Sequence, residues 1–280
     1  MKLRDDLPYG AMFFWGEVRV FRNSAGRKFK DGDEFEFTEK WHTPARIMQA
    51  YAKAAKRANE QEAKTVFAWN ERFGYLSPMP EHIGCGIEVV ASLFAAGLGL
   101  LGHFGQTVNA FQARRFTVAT LDVEGWDNVA HYMDVRTCAS LGKTSENFLM
   151  ETKTFLAEVA RQEAAARAKL FGTNKIILAD AAARSLAILK AAKMMSPWEA
   201  VDLLAPLYLL ALENSLSGIA FEDVMDMMLK PIAKGVFRRD PETPEDDRRR
   251  DEEDAVFASE MNRIFENVRI NKRGERMLYG

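Results

Sequence analysis

Asn70-Glu71-Arg72-Phe73-Gly74-Tyr75-Leu76-Ser77-Pro78-Met79-Pro80-Glu81-His82-Ile83-Gly84-Cys85-Gly86-Ile87-Glu88 is the stretch on which the reading of this chain turns. Glycine and proline punctuate it, as in a loop whose backbone must take special conformations. Its cations stop at Arg72, and from Phe73 to Ala113 there is neither lysine nor arginine. Immediately beyond it, Val89 to Leu101 is the most apolar run of the chain, interrupted or flanked by Gly97, Gly99 and Gly102. That run is well short of the roughly 20 residues a membrane-spanning helix needs, and it reads as a buried strand with its turn.

Outward from the loop, the first half alternates short apolar runs with turn signals. Phe13 to Phe21 reads as a strand followed by the turn Asn23-Ser24-Ala25-Gly26, with Phe35 to Phe37 returning. Thr65 to Trp69, Ile87 to Phe94, Phe116 to Asp122 and Val129 to Val135 are further candidate strands. Pro44 to Glu62 predicts a helix with Thr43 as its cap, and Gly105 to Arg115 suits another.

The second half changes period. A helix from Thr144 to about Leu170 is followed by Lys175 to Met195, Pro197 to Leu216 and Phe221 to Leu229, where apolar residues recur at three- and four-residue intervals. Ser196-Pro197-Trp198-Glu199 is a helix start, with serine as cap and the acid near the positive end of the dipole. Arg238 to Asp254 carries nine acids and five arginines and reads as a solvated loop before a last helix near Ala255 to Val268. The expectation is α+β: an antiparallel sheet flanked by helices over residues 1–170, then a mainly helical domain over 171–280.

The 280 residues are 48% hydrophobic with a formal charge of −2. The core is ample, and no global field attracts nucleic acid. Met1 to Asp6 lacks the pattern of a secretory leader, which sets the expectation of a cytoplasmic protein without membrane attachment. Cys85 and Cys138 lack metal or redox spacing, and the histidines at 42, 82, 103 and 131 show no paired helical spacing.

The opening stretch resembles the active-site loop of the guanidino (phosphagen) kinases, which reads roughly G-Y-L-T-x-C-P-x-N-x-G-T-G-x-R-A-S. Gly74, Tyr75, Leu76, Pro80, Gly84 and Gly86 match. The family's reactive cysteine position is Met79, its phosphate-binding arginine position is Glu88, and Cys85 stands at its threonine position. The likeness covers roughly Phe35 to Arg269. Glu124 and Gly125 match the mobile loop, whose arginine position is Ala119, and Leu141-Gly142 matches the L-G before a long helix. Arg184 to Ser196 and Glu199 to Leu204 resemble the helical extension of the bacterial protein arginine kinase branch. That branch's R-D-x-x-R-A pocket for phosphorylated arginine corresponds to either Arg250 to Ala255 or Glu253 to Ala258, and both lack the second arginine. The family's N-terminal portion, with its arginine-rich pattern, has no counterpart before Phe35, where Arg19 and Arg22 are the nearest cations.

The resemblance implies the guanidino kinase catalytic-domain fold, with ATP and Mg as the family's cofactors. Phosphoryl transfer draws most of its rate from positioning and from cations on the phosphate oxygens. With Glu88 and Ala119 at arginine positions and Met79 at the thiol, the expectation is a pseudokinase that does not bind ATP productively. Glu124 is the one candidate catalytic group, and Arg136 a candidate nucleotide contact. The expected role is binding or regulation, through self-association, an active arginine kinase homologue or a quality-control protein. Two alternatives stand beside it: an active phosphotransferase whose missing groups come from another chain or from Arg114, Arg115 and Arg136, and a helical quality-control adaptor. Positions 79 and 88 are both expected to face the cleft.

Overall fold

A computed structural model describes residues 13–25, 34–120, 131–138, 140–233 and 247–280. In chain order the elements are β1 (Phe13–Asn23), β2 (Glu34–Trp41), α1 (Ile47–Glu62), β3 (Trp69–Asn70), β4 (Gly74–Tyr75), β5 (Ile87–Phe94), α2 (Ala96–Leu100) and α3 (Phe104–Ala113). They continue with β6 (Phe116–Thr120), β7 (Tyr132–Thr137), α4 (Ser145–Phe171), α5 (Lys175–Ala191), α6 (Pro197–Leu212) and β8 (Leu216–Ser217). The last are α7 (Phe221–Ala233), α8 (Asp247–Phe265), β9 (Arg269–Ile270) and α9 (Lys272–Tyr279). The protein is α+β, as the change of period predicts.

The chain divides into two compact units. One holds the described residues up to Phe94 with Gln106–Ala119 and Met133–Gln162; the other holds Ala95–Gly105, the described residues among 120–132, and those from Glu163 onward.

The first unit is built on a sheet of order β2-β1-β5-β7-β6. β1 is antiparallel to both β2 and β5, with Val18 opposite Glu39 and Val89. Val89 also meets Thr137 while Ser92 meets Asp134, a register that climbs one strand as it descends the other, so β5 and β7 are antiparallel too. Every residue of β5 is buried, as suits the middle strand of the sheet, flanked by β1 and β7. Ala50, Ala54 and Ala58 of α1 recur at four-residue spacing, and their small side chains let the helix lie close to the sheet on Val20, with Phe37 and Tyr51 packed at the edge.

In the second unit, α6 packs against α5 and α7, and α5 against α8 and α9. α6 is apolar almost all round, and Trp198, Leu204, Leu207, Tyr208, Leu209 and Leu210 are all buried, each large side chain contributing about 1.5–3 kcal/mol. Its Ser196 cap accepts a hydrogen bond from the Glu199 amide at 3.2 Å. Glu163 is buried, accepts from the Gly97 and Leu98 amides at 2.8 and 2.9 Å, and pairs with Arg167 at 3.0 Å. Burial pushes the Glu163 pKa above its ordinary value against the pull of Arg167 and those amides.

Several local expectations need correction. Val89 to Leu101 is not a strand and turn alone: after Phe94 the chain forms α2, because the Glu163 carboxylate holds its first amides. Thr65 to Trp69 yields only the two-residue β3, since Phe67 forms an isolated bridge to Ser24 instead of a ladder. Thr43 is extended but makes no side-chain cap, and Pro44–Arg46 is a 3₁₀ turn before α1. The helix expected near Ala255 to Val268 is α8, which opens earlier, at Asp247 within the charge run, and the short α9 follows it. Residues 238–246 lie outside the described residues. Among the described residues no helix is long and apolar enough to cross a membrane.

Candidate functional site

The loop between β4 and β5 is closed at its base by Tyr75 and Gly84, whose backbones exchange hydrogen bonds of 2.9 and 3.1 Å. Two glycines make this possible. At Gly84 (φ +111) a Cβ would lie 2.8 Å from the Leu141 amide nitrogen; at Gly86 (φ +61) it would lie 2.5 Å from the Phe21 carbonyl and 2.7 Å from the Arg22 guanidinium. No L side chain fits such approaches in a left-handed backbone. Between them Cys85 is buried, its amide donating to Ser140 Oγ at 2.8 Å and its thiol to the Lys143 carbonyl at 3.0 Å. That thiol serves packing.

Met79 stands at the loop tip, 45% exposed. Ser77 Oγ accepts from the Met79 amide at 3.0 Å and donates to Glu34 at 2.7 Å. The same Glu34 oxygen lies 3.0 Å from His82 Nδ1, and the His82 ring stacks on Phe21 at 3.6 Å. The loop is therefore anchored over β1 and β2.

Strand alternation defines the face beneath it. Glu17, Arg19 and Phe21 of β1 point to one side, opposite the face on which Val18 and Val20 meet α1. Arg19 reaches Glu17 at 2.7 Å, Glu88 of β5 at 3.3 Å and Glu36 of β2 at 3.6 Å. Ser92 and Asp134 are hydrogen-bonded across β5 and β7, so Glu88, Ser92, Asp134 and Arg136 share this face. Burial alone would lower the Arg19 pKa; the hydrogen bond and charge of Glu17, with Glu88 and Glu36, outweigh it and raise it above the ordinary arginine value. Arg22 is buried beneath the Tyr75 ring, 3.5 Å from its centroid, and donates to the Phe21 and Cys85 carbonyls at 2.7 and 3.2 Å. Its pKa is lowered by burial, with Tyr75 opposing.

Of the residues singled out in the sequence, Met79 is exposed at the loop tip, whereas Glu88 is only 7% exposed and ion-paired with Arg19. Ala119 and Arg136 are exposed on β6 and β7. Glu124 lies outside the described residues. Arg114 and Arg115 line a cavity with residues of α4 and none of residues 74–86. The carboxylate collar around Arg19 arises from strand register, which sets Arg19 opposite Glu88. The period-two charges Glu17 and Arg19 were its only local signal.

Residues 42–166 match the family profile of the ATP:guanido phosphotransferase C-terminal catalytic domain. The protein-arginine kinase of Pelotomaculum thermopropionicum is 26% identical over 175 residues, covering 62% of this chain and 49% of that protein. The protein-arginine kinase of Bacillus cereus is 24% identical over 223 residues, covering 79% and 62%. Over residues 42–166 this chain is similar to the guanidino phosphotransferase catalytic domain. The curated relatives it matches are bacterial protein-arginine kinases, and it spans about half to three-fifths of their length. A taurocyamine kinase from Schistosoma mansoni, solved with bound transition state analog components, aligns with a TM-score of 0.45 at 12% identity over 64% of this chain and 37% of its own.

The sheet face beneath the loop carries Glu17, Glu34, Glu36, Glu88 and Asp134 against Arg19, Lys40 and Arg136. Arg19 is spoken for by three carboxylates.

Proposed function

We infer that this chain is a catalytically silent guanidino kinase homologue that acts by binding a protein, either a second copy of itself, an active arginine kinase of its own branch, or a quality-control factor. One observation carries the reading. The family's arginine position is Glu88, and the neighbouring guanidinium, Arg19, is neutralised by Glu17, Glu36 and Glu88. Losing one preorganised donor costs about 3 kcal/mol, or roughly two orders of magnitude in rate, and here the thiol at Met79 and the arginine at Ala119 are missing as well. α8 adds support, because both candidate registers of the phosphoarginine pocket, Arg250 to Ala255 and Glu253 to Ala258, lack the second arginine. ATP and Mg belong to the family's chemistry, and this face does not hold them productively. The competing reading, a phosphotransferase completed by another chain, draws on Arg136, exposed on the same face as Glu88.

The test is titration with Mg-ATP, following the melting temperature, together with transfer of labelled γ-phosphate to free arginine and to an arginine-rich protein. A real site at a hundredfold excess over its dissociation constant would add about 2.7 kcal/mol of stability. The expected result is no saturable shift and no transfer. A shift of several degrees that is lost in Arg136→Ala, or any transfer, would overturn the reading.

A further inference from the structure

A second concavity lies in the first unit, built from other elements. α3 ends as the Arg114 and Arg115 amides bond the Phe111 and Gln112 carbonyls at 3.0 and 2.9 Å, and Arg115 turns the chain into β6 with φ 61. An arginine thus occupies a left-handed position that favours glycine. Its carbonyl accepts from the Cys138 amide at 3.0 Å, tying this turn to the end of β7. Between these segments and α4 is a cavity of about 630 Å³, within the size range of small-molecule sites.

Its chemistry is out of character for an acidic chain. Arg114, Arg115 and Lys143 line it against a single carboxylate, Glu151, which pairs with Lys143. The Arg114 guanidinium lies over Phe155, 4.9 Å from the ring centroid, and Phe155 is itself locked against Phe111 and Phe116. That contact orders one face of the guanidinium and leaves its N–H edge for a ligand. The remaining wall is apolar, with Phe148 inside and Met150 and Leu141 at the rim, 45% and 52% exposed.

Two guanidiniums and an ammonium beside one carboxylate favour a dianion over a carboxylate monoanion, and forked N–H donors match phosphate oxygens. The aromatic and aliphatic wall asks for an apolar body on the same molecule. We propose that this cavity binds a small organic phosphate, a phosphomonoester whose aromatic or aliphatic part packs against Phe148 and Met150 while its phosphate meets Arg114, Arg115 and Lys143. The site shares no lining residue with the loop at 74–86 and stands whether or not that loop supports transfer.

Phenyl phosphate is the probe, and the half-buried thiol of Cys138 on the cavity wall is a built-in reporter. The full chain is titrated with phenyl phosphate and with inorganic phosphate. Melting temperature and the rate of Cys138 alkylation by iodoacetamide, resolved by peptide mass spectrometry, are followed. Saturable protection by phenyl phosphate is expected, clearly tighter than by inorganic phosphate. Arg114→Gln and Lys143→Gln should each weaken it roughly tenfold. Lys143→Gln tests the charge without disturbing the Phe155 contact, and it leaves Glu151 unpaired toward the ligand. The proposal is overturned by the absence of saturable protection, by equal affinity for inorganic phosphate, or by unchanged affinity in both variants. A phosphotyrosine peptide that binds far more tightly than phenyl phosphate overturns the small-molecule assignment.

Discussion

Replacing Glu88 with arginine restores the family's residue type at that position, and the structure predicts that the change costs stability unless Arg19 is removed with it. Glu88 lies 3.3 Å from Arg19, with side-chain exposures of 9% and 21%. At an effective dielectric constant of about 20, that separation corresponds to an attraction on the order of 5 kcal/mol, most of which offsets the desolvation of both groups. In Glu88→Gln, Arg19 keeps Glu17 at 2.7 Å and Glu36 at 3.6 Å, so the cost should be only about 1–2 kcal/mol. Glu88→Arg turns attraction into repulsion between two half-dry guanidiniums and should cost about 3–4 kcal/mol. Adding Arg19→Gln leaves one guanidinium facing Glu17 and Glu36 again and should recover about 2 kcal/mol. Urea unfolding followed by circular dichroism, extrapolated to water, measures Glu88→Gln and the four corners of the cycle: wild type, Glu88→Arg, Arg19→Gln and the double variant. The reasoning fails if Glu88→Arg is tolerated as well as Glu88→Gln, or if Arg19→Gln adds its own cost instead of relieving the first.

Gly86→Ala should destabilise by at least about 1 kcal/mol more than Gly102→Ala. Both residues have positive φ, but a Cβ at Gly102 meets nothing within 4 Å, whereas at Gly86 it strikes the Phe21 carbonyl; equal losses in urea unfolding would refute the packing argument. His131 gives a pH prediction, because burial lowers its pKa from 6.5, against the pull of Asp202, and its Nδ1 is buried without a hydrogen-bond partner. The unfolded chain takes up that proton near pH 6.5 and the folded one does not, so His131 contributes stability above that pH which is lost as pH falls through the depressed folded value. His131→Asn, which tolerates the backbone at φ 54, should flatten the stability profile between pH 7.5 and 5.5; an unchanged profile would assign the loss elsewhere.

What the sequence determined by itself is whatever short-range chemistry dictates. Gly84 and Gly86 are legible because a left-handed backbone against a neighbouring carbonyl or amide admits little else. Ser196 is legible because a cap bonds the amide three residues on. The helices α4 to α7 follow from apolar spacing at the helical period, and the change to that period after the sheet gives the α+β class. Glu88 marks the departure from the family's pattern without any coordinates. Tertiary structure alone decided the fate of that departure. Arg19 and Glu88 are 69 residues apart in sequence and meet only because the β1 and β5 register sets them opposite one another. The same holds for Glu163, whose carboxylate turns the end of an apolar run into α2 from 66 residues away. It holds for the basic cavity, where Arg114 and Arg115 gain meaning only once Lys143 and Phe155 are folded beside them. Local sequence sets backbone preference within a few residues; which charges neutralise one another is set by register and packing between segments that no local pattern links.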